Sequence, residues 1–281
     1  METPYINLLK KTLKAKPRQT RNSITLSSFG ERLEFDISHY IPLLTTKKMA
    51  WKTIIKELLW FVKGDTDNQK LIDEKVYIWN GNASRDFLNS RGLIDREVND
   101  LGPIYGFQWR HSGAVYKDCH SNYKGIDQLE ECRNLIINNP TSRRIIFTAW
   151  NPSDLPKMAL PPCHILGQWY VDDDILSLQV YQRSSDVFLG LPFNIFSYSV
   201  LIHMMAHLTN KKVGKLIYIL GDTHIYQNQI EVCKEQINRK IHNPPRFNII
   251  GKINRWEDFK LDSFELIDYT CEGSLKVEMI A

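Results

Sequence analysis

The sequence predicts an α+β fold, a mixed β-sheet with helices packed on it, in one domain spanning residues 1–281. Three observations point there. Strand-like and helix-like segments do not alternate regularly, which excludes a repeated β-α-β plan. The strand-like runs are short, apolar and bounded by turn residues. No internal repeat and no Gly/Ser- or Pro-rich linker divides the chain. With 281 residues, 43% of them hydrophobic, the chain can bury roughly 75% of its extended surface, enough for one core without disulfide staples.

The elements follow in order. Tyr5, Ile6, Leu9 and Leu13 recur at helical spacing and open the chain with an amphipathic helix. The basic residues around them enclose no apolar signal core, so this segment does not read as a secretion signal. In the run Ala50 to Lys63, Trp51, Ile54, Ile55, Leu58, Leu59 and Val62 form a broad apolar helix face. Residues 80–99 have mixed charge and little periodicity and read as a long surface insertion, and 112–125 as a second loop. Ile145 to Trp150, His164 to Val171 and Ile175 to Gln182 read as strands, the last two joined as a hairpin through Asp172–Asp174. Phe193 to Leu208 is apolar nearly all round, as a helix through the middle of a core should be. Ser197, Ser199, His203 and His207 interrupt it, and it falls short of the ~18 apolar residues of a membrane span. Leu216 to Leu220 and Arg246 to Ile253 complete the strand set.

Charge and cysteines bound the function. Lys plus Arg (36) exceed Asp plus Glu (32) by only +4, too weak an excess to make nucleic acid the main partner. It fits a few arginines gathered at one anionic pocket. The five cysteines are an odd number with no paired short spacing, which argues against a disulfide framework and against a zinc site. An intracellular protein with no metal is the expectation.

The most informative segment is Leu160-Pro161-Pro162-Cys163-His164. Two prolines stiffen the backbone just before a cysteine, which places the thiol at the mouth of a strand. A thiol attacks only as thiolate and needs positive charge nearby. Tyr181-Gln182-Arg183-Ser184-Ser185-Asp186, across the hairpin, supplies it in Arg183; a buried structural Cys beside a surface Arg is the alternative. Arg143 and Arg144, opening the Ile145 strand, suit a phosphate through forked guanidinium bonds, or else form a solvated charged turn. Glu57 lies on the flank of an apolar helix face, where desolvation would raise its pKa, unless the side chain reaches water. His224 and Tyr226 are two apart at the end of a strand run and point the same way.

Taken together these segments resemble the thymidylate synthase family over nearly the whole chain. The carrying strings are Pro42-Leu43-Leu44-Thr45-Thr46-Lys47, Glu57-Leu58-Leu59-Trp60-Phe61, Asp100-Leu101-Gly102-Pro103-Ile104-Tyr105-Gly106 with Gln108-Trp109-Arg110, and Arg143-Arg144-Ile145-Ile146. Met158-Ala159-Leu160-Pro161-Pro162-Cys163-His164, Gln182-Arg183-Ser184, Asp186, Gly190, Pro192-Phe193-Asn194-Ile195 and the His224/Tyr226 pair follow in the same order. Ser84-Arg85-Asp86-Phe87-Leu88 resembles the eukaryotic and large-virus branch.

The resemblance implies a two-fold dimer that methylates dUMP to dTMP, with 5,10-methylenetetrahydrofolate as co-substrate. It implies Cys163 as the nucleophile at uracil carbon 6, with Arg183 lowering its pKa and holding the phosphate. Ser184, Ser185 and Arg21 would join that anion site, with Arg143 and Arg144 reaching over from the second subunit. Asn194 would pair with the uracil edge, and His224 and Tyr226 with the ribose hydroxyl. Glu57 would move protons and Tyr105 would help remove the carbon 5 proton. Asp186 would bind at the nucleotide and pterin, Trp79 and Asn82 would line the folate side, and the tail, with Ile280 and Ala281, would close over it. Neither membrane nor nucleic acid is required, and the enzyme would be cytoplasmic, in a cell or encoded by a virus acting in its host. Two departures stand out: Thr20-Arg21-Asn22-Ser23-Ile24-Thr25 is one residue shorter than the family's phosphate loop, and Cys271-Glu272-Gly273 replaces the tail's usual Pro-His-Pro. The rival readings are a pyrimidine hydroxymethylase on the same scaffold, for which Asp in place of Asn194 would suit cytosine, and a non-catalytic nucleotide or nucleic-acid binder.

Overall fold

The computed structural model describes residues 1–20, 23–278 and 280. Helix α1 (Thr3–Thr12) buries Tyr5, Ile6 and Leu9, as its spacing predicts. Strands β1 (Pro17–Gln19) and β2 (Ile24–Asp36) follow as a hairpin in which Gln19 faces Ile24 and the Thr20 N–H donates to the Ser23 carbonyl at 3.0 Å. Arg21 lies outside the described residues. Helices α2 (Trp51–Val62), α3 (Asn68–Asp73), α4 (Arg85–Ser90), α5 (Tyr105–His111) and α6 (Gln128–Asn138) precede β3 (Ile146–Thr148). The hairpin β4 (His164–Asp172) and β5 (Ile175–Asp186) leads into α7 (Gly190–Thr209) and β6 (Lys212–Tyr226), then α8 (Ile230–Gln236) and a small ribbon, β7 (Arg246–Ile249) with β8 (Phe264–Ile267).

The main sheet runs β1-β2-β6-β5-β4-β3. Only β5 and β6 are parallel, joined through α7, so the sheet is mixed as predicted. Its register separates two faces. Leu33, Tyr218, Val180, Gly167 and Phe147 lie across the sheet from one another on the buried face, on the side of α7. Arg32, Ile219, Tyr181, Leu166 and Thr148 form a row of the other face, which stays partly open.

Four expectations are corrected. Residues 80–99 are not all loop: Ser84 accepts the Phe87 N–H and caps α4. Helix α7 starts at Gly190 rather than Phe193, because Pro192 in the first turn has no N–H to lose there. The last strand ends at Ile249 instead of Ile253. Strand β6 runs from Lys212 to Tyr226, far beyond Leu216–Leu220. Gly221 hides that length in the sequence yet serves the sheet, since a Cβ there would lie 2.7 Å from the Arg183 carbonyl oxygen. Among the described residues no helix is long and apolar enough to cross a membrane.

Candidate active site

One end of the sheet gathers the predicted chemistry. Cys163 stands immediately before β4, half-buried, as the two prolines imply. The Arg183 N–H donates to the Cys163 carbonyl at 2.8 Å, which makes the two residues cross-strand neighbours. The guanidinium turns back over the turn, donating to the Pro162 carbonyl at 2.8 Å and the Pro161 carbonyl at 3.0 Å. It also faces the Trp150 ring at 5.6 Å, a contact the sequence did not suggest. From the other side the Tyr105 hydroxyl accepts the Cys163 N–H at 2.7 Å. Burial pushes the thiol pKa up, while the Arg183 charge and the Tyr105 hydroxyl oppose it. Arg183 lowers this pKa, as the resemblance implies. Burial outweighs it.

Glu57 is buried on α2 and accepts the Trp79 indole N–H at 2.8 Å. Burial raises its carboxyl to about 7, against the smaller opposing pull of that hydrogen bond. The Trp79 ring lies 6.1 Å from Tyr105, which stacks on His164 at 4.2 Å. His164 pairs with the Tyr198 hydroxyl at 2.7 Å and burial drives its pKa down to about 3, so it is a neutral structural ring. Asn82 is buried nearby in sequence, just ahead of α4.

The parallel pairing of β5 and β6 sets Ser184 opposite Asp222, Ser185 opposite Thr223 and Asp186 opposite His224. His224 Nδ1 and Asp222 Oδ1 are 2.9 Å apart, and that bond holds the Asp222 carboxyl below its usual value. The His224 and Tyr226 rings meet edge to face at 5.0 Å, on one side of the strand as predicted. Asn194 sits at the start of the second turn of α7, its Oδ1 accepting from Gln182 Nε2 at 3.3 Å. Gln182, a buried amide on β5 beside Arg183, is a site neighbour. Its Oε1 and the Ser185 hydroxyl are buried without partners among the described residues. Asp186 is already engaged: Oδ1 accepts the Phe188 and Leu189 N–H groups at 3.0 and 2.9 Å, and Oδ2 accepts from Gln229 at 2.9 Å.

Arg143 and Arg144 are not brought to this cluster. Both are exposed ahead of β3, and the antiparallel β3–β4 register puts them beside the far part of β4. Continued from Ile146 opposite Gln168, the register sets Arg144 and Arg143 beside Tyr170 and Val171, seven and eight residues beyond Cys163, roughly 23–26 Å at ~3.3 Å per residue. The tail is rooted by the Glu272 N–H on the Thr45 carbonyl at 2.8 Å, by His242 Nε2 against Glu272 Oε1 at 2.6 Å, and by Arg239 on the Gly273 carbonyl at 2.5 Å. Further on, Asn228 donates to the Glu278 carbonyl at 2.9 Å and Ile280 is partly buried. Ala281 lies outside the described residues.

A family model described as thymidylate synthase matches residues 3–281. This chain belongs to the thymidylate synthase family. It is 50% identical to the thymidylate synthase of Homo sapiens over 257 residues, 91% of this chain and 82% of that protein. It is 48% identical to that of human herpesvirus 8 type P (isolate GK18) over 282 residues, 99% of this chain and 84% of that protein. It is 46% identical to that of equine herpesvirus 2 (strain 86/87) over 282 residues, 99% and 98%. Thymidylate synthases use methylenetetrahydrofolate, and the residues here fit such a group. Trp79, Tyr105 and Phe61 form a packed aromatic cluster with ring centroids 5.0–6.3 Å apart, an apolar surface against which a flat ring could rest, and the Asp186 carboxylate has acceptor capacity left for a pterin's amino edge.

Proposed function

We propose that the chain converts dUMP to dTMP with Cys163 as nucleophile, and the observation that carries this reading is the thiol's position at the mouth of β4 between Arg183 and Tyr105. The Cys163 sulfur, deprotonated, forms a bond to carbon 6 of uracil. The carbon 5–carbon 6 electron pair moves toward carbon 5 and the ring oxygen, making carbon 5 nucleophilic. When bound, 5,10-methylenetetrahydrofolate supplies the one-carbon unit and the hydride. Glu57, with a pKa near neutrality, holds or returns a proton at the pyrimidine carbonyl through the site's water. The Tyr105 hydroxyl stays protonated, its pKa raised by burial, and passes the carbon 5 proton as a neutral group. Loss of that proton and breaking of the sulfur–carbon bond return Cys163.

Arg183, Ser184 and Ser185, with Arg21, form the phosphate site, and Asn194 reads the uracil edge while His224 and Tyr226 hold the ribose. Trp79, Asn82, Asp186 and the tail through Ile280 and Ala281 cover the folate side and keep water out. The working form is a two-fold dimer in which Arg143 and Arg144 serve the neighbouring subunit's phosphate. Two features support this. The arginines are exposed and far from their own Cys163, and the open sheet face carries half-buried Leu166, Tyr181, Ile217 and Ile219, an apolar row that a second copy would cover. Five unpaired thiols suit the reducing cytoplasm. The test is absorbance of dihydrofolate formed with dUMP and methylenetetrahydrofolate. A hydroxymethylase would consume the folate without making dihydrofolate, and a simple binder would change neither.

A further inference from the structure

A second cluster lies in the loops around α5, among residues that the reaction does not use. Asp67, Cys119 and His120 each present a ligand atom, and these atoms all lie within 4.8 Å of one another. We propose that they form a binding site for a divalent transition metal of the zinc class, with Glu97 or water as fourth ligand.

The donor set is that of a zinc site: thiolate sulfur, imidazole nitrogen and carboxylate oxygen. Cys119 Sγ and His120 Nε2 are 3.7 Å apart, close to the ligand–ligand edge of a tetrahedron whose arms are about 2.3 and 2.0 Å long. Glu97 Oε2 already stands 3.3 Å from the same imidazole nitrogen. Asp67 is only 7% exposed; its Oδ1 caps α3 by accepting the Gln69 N–H at 2.8 Å, and its Oδ2 has no partner among the described residues.

The ligands are held in place before any ion arrives. The Trp60 indole N–H fixes the Asp67 carbonyl at 3.0 Å. The Tyr116 hydroxyl, bonded to Asp100 at 2.5 Å and Thr66 at 2.9 Å, ties the 112–125 loop to the Asp67 segment. Asp118 Oδ1 accepts the His120 and Ser121 N–H groups at 2.9 and 2.7 Å, and the Tyr123 hydroxyl donates to the Asp118 carbonyl at 2.5 Å. The carboxylates of Asp67 and Glu97 both face the cluster and supply the negative charge that a divalent cation would neutralise. On binding, a metal–sulfur bond forms and the sulfur's proton passes to solvent.

The sequence concealed this site because a Cys-His dipeptide has no partner at metal-finger spacing; Asp67 is distant in the chain. The ion would clip the 112–125 loop to the start of α3.

The experiment titrates Co²⁺, and then Zn²⁺ in competition, into full-length protein under reducing conditions. The Cys163→Ser, Cys119→Ser and His120→Gln forms are run beside the wild type. The expected result is one equivalent of Co²⁺ with a thiolate charge-transfer band in wild type and in Cys163→Ser. That band is lost in Cys119→Ser. Affinity falls in His120→Gln by at least the roughly 10–100-fold that removal of an outer partner alone produces. His120 is exposed, so its variant tests the site even if Cys119→Ser folds poorly. A band that persists in Cys119→Ser and disappears in Cys163→Ser places the ion on the other thiol and overturns the proposal. So does a wild type that takes up no Co²⁺ or Zn²⁺.

Discussion

At Cys163 two opposing effects act on one sulfur: burial favours the thiol, and Arg183 with Tyr105 favours the thiolate. A serine in its place keeps the shape but is far too basic to ionise, so Cys163→Ser should abolish turnover while dUMP binding, measured by calorimetry, stays within a few-fold. Glu57 carries the second prediction at this scale. Its carboxyl keeps its proton to about pH 7 in the fold but releases it near 4.5 when unfolded. The native state therefore binds more protons between these values, and stability falls as pH rises through that window, by about 3 kcal/mol in all. Glu57→Gln keeps an acceptor for Trp79 and removes the slope, which urea unfolding at several pH values will read. The pH–rate profile should lose its inflection near neutrality in the same variant. The raised pKa was one of two outcomes the sequence allowed, since a carboxylate flanking an apolar helix face either desolvates or reaches water, and here it is buried. The bond to Trp79 was not legible, since nothing in the sequence spacing reports a contact between α2 and the turn that carries Trp79.

Elements differ in how openly the sequence shows them. Helix α2 declares itself by one apolar face, α7 by being apolar nearly all round, and the β4–β5 hairpin by two apolar runs joined through Asp172–Asp174. Strand β2 does not: Ser27 and Ser28 break its alternation and Gly30, at φ +82°, interrupts it midway. Its conformation comes from pairing with β6, a tertiary effect that no local pattern records. The same holds for the site: the motif residues could be picked out, whereas their common location depends on the register of β2, β6, β5 and β4. The tail is an element anchored at its root by Thr45, His242 and Arg239, in spite of its altered sequence. Deleting Ala281 leaves that root intact. Nucleotide affinity should therefore stay unchanged while the chemical step slows, because a poorly closed site admits water. Single-turnover rates beside equilibrium dUMP binding separate the two.

At the scale of the whole molecule, the distance of Arg143 and Arg144 from their own Cys163 has a direct test. A Cys163→Ala chain and an Arg143→Ala/Arg144→Ala chain should each be nearly inactive alone. Co-refolded in equal amounts, they should recover about a quarter of wild-type activity, since about half the dimers are mixed and each has one good site of two. No recovery, with mixed dimers verified by mass spectrometry, would place the phosphate ligands within one chain. The pairing of β2 with β6 also sets a timetable for the growing polypeptide. Strand β2 leaves the ribosome early, but its partner begins roughly 175 residues later, an interval of about 10–35 s at ordinary synthesis rates. Until then β2 has an unpaired edge and the buried face of the sheet lacks its central strand, so the nascent chain has a surface that chaperones must shield. Cys163, although made well before the end, stands without the β6 residues His224 and Tyr226 until that strand is complete. Activity consequently arrives late and all at once, and a chain cut short before β6 can possess none of it.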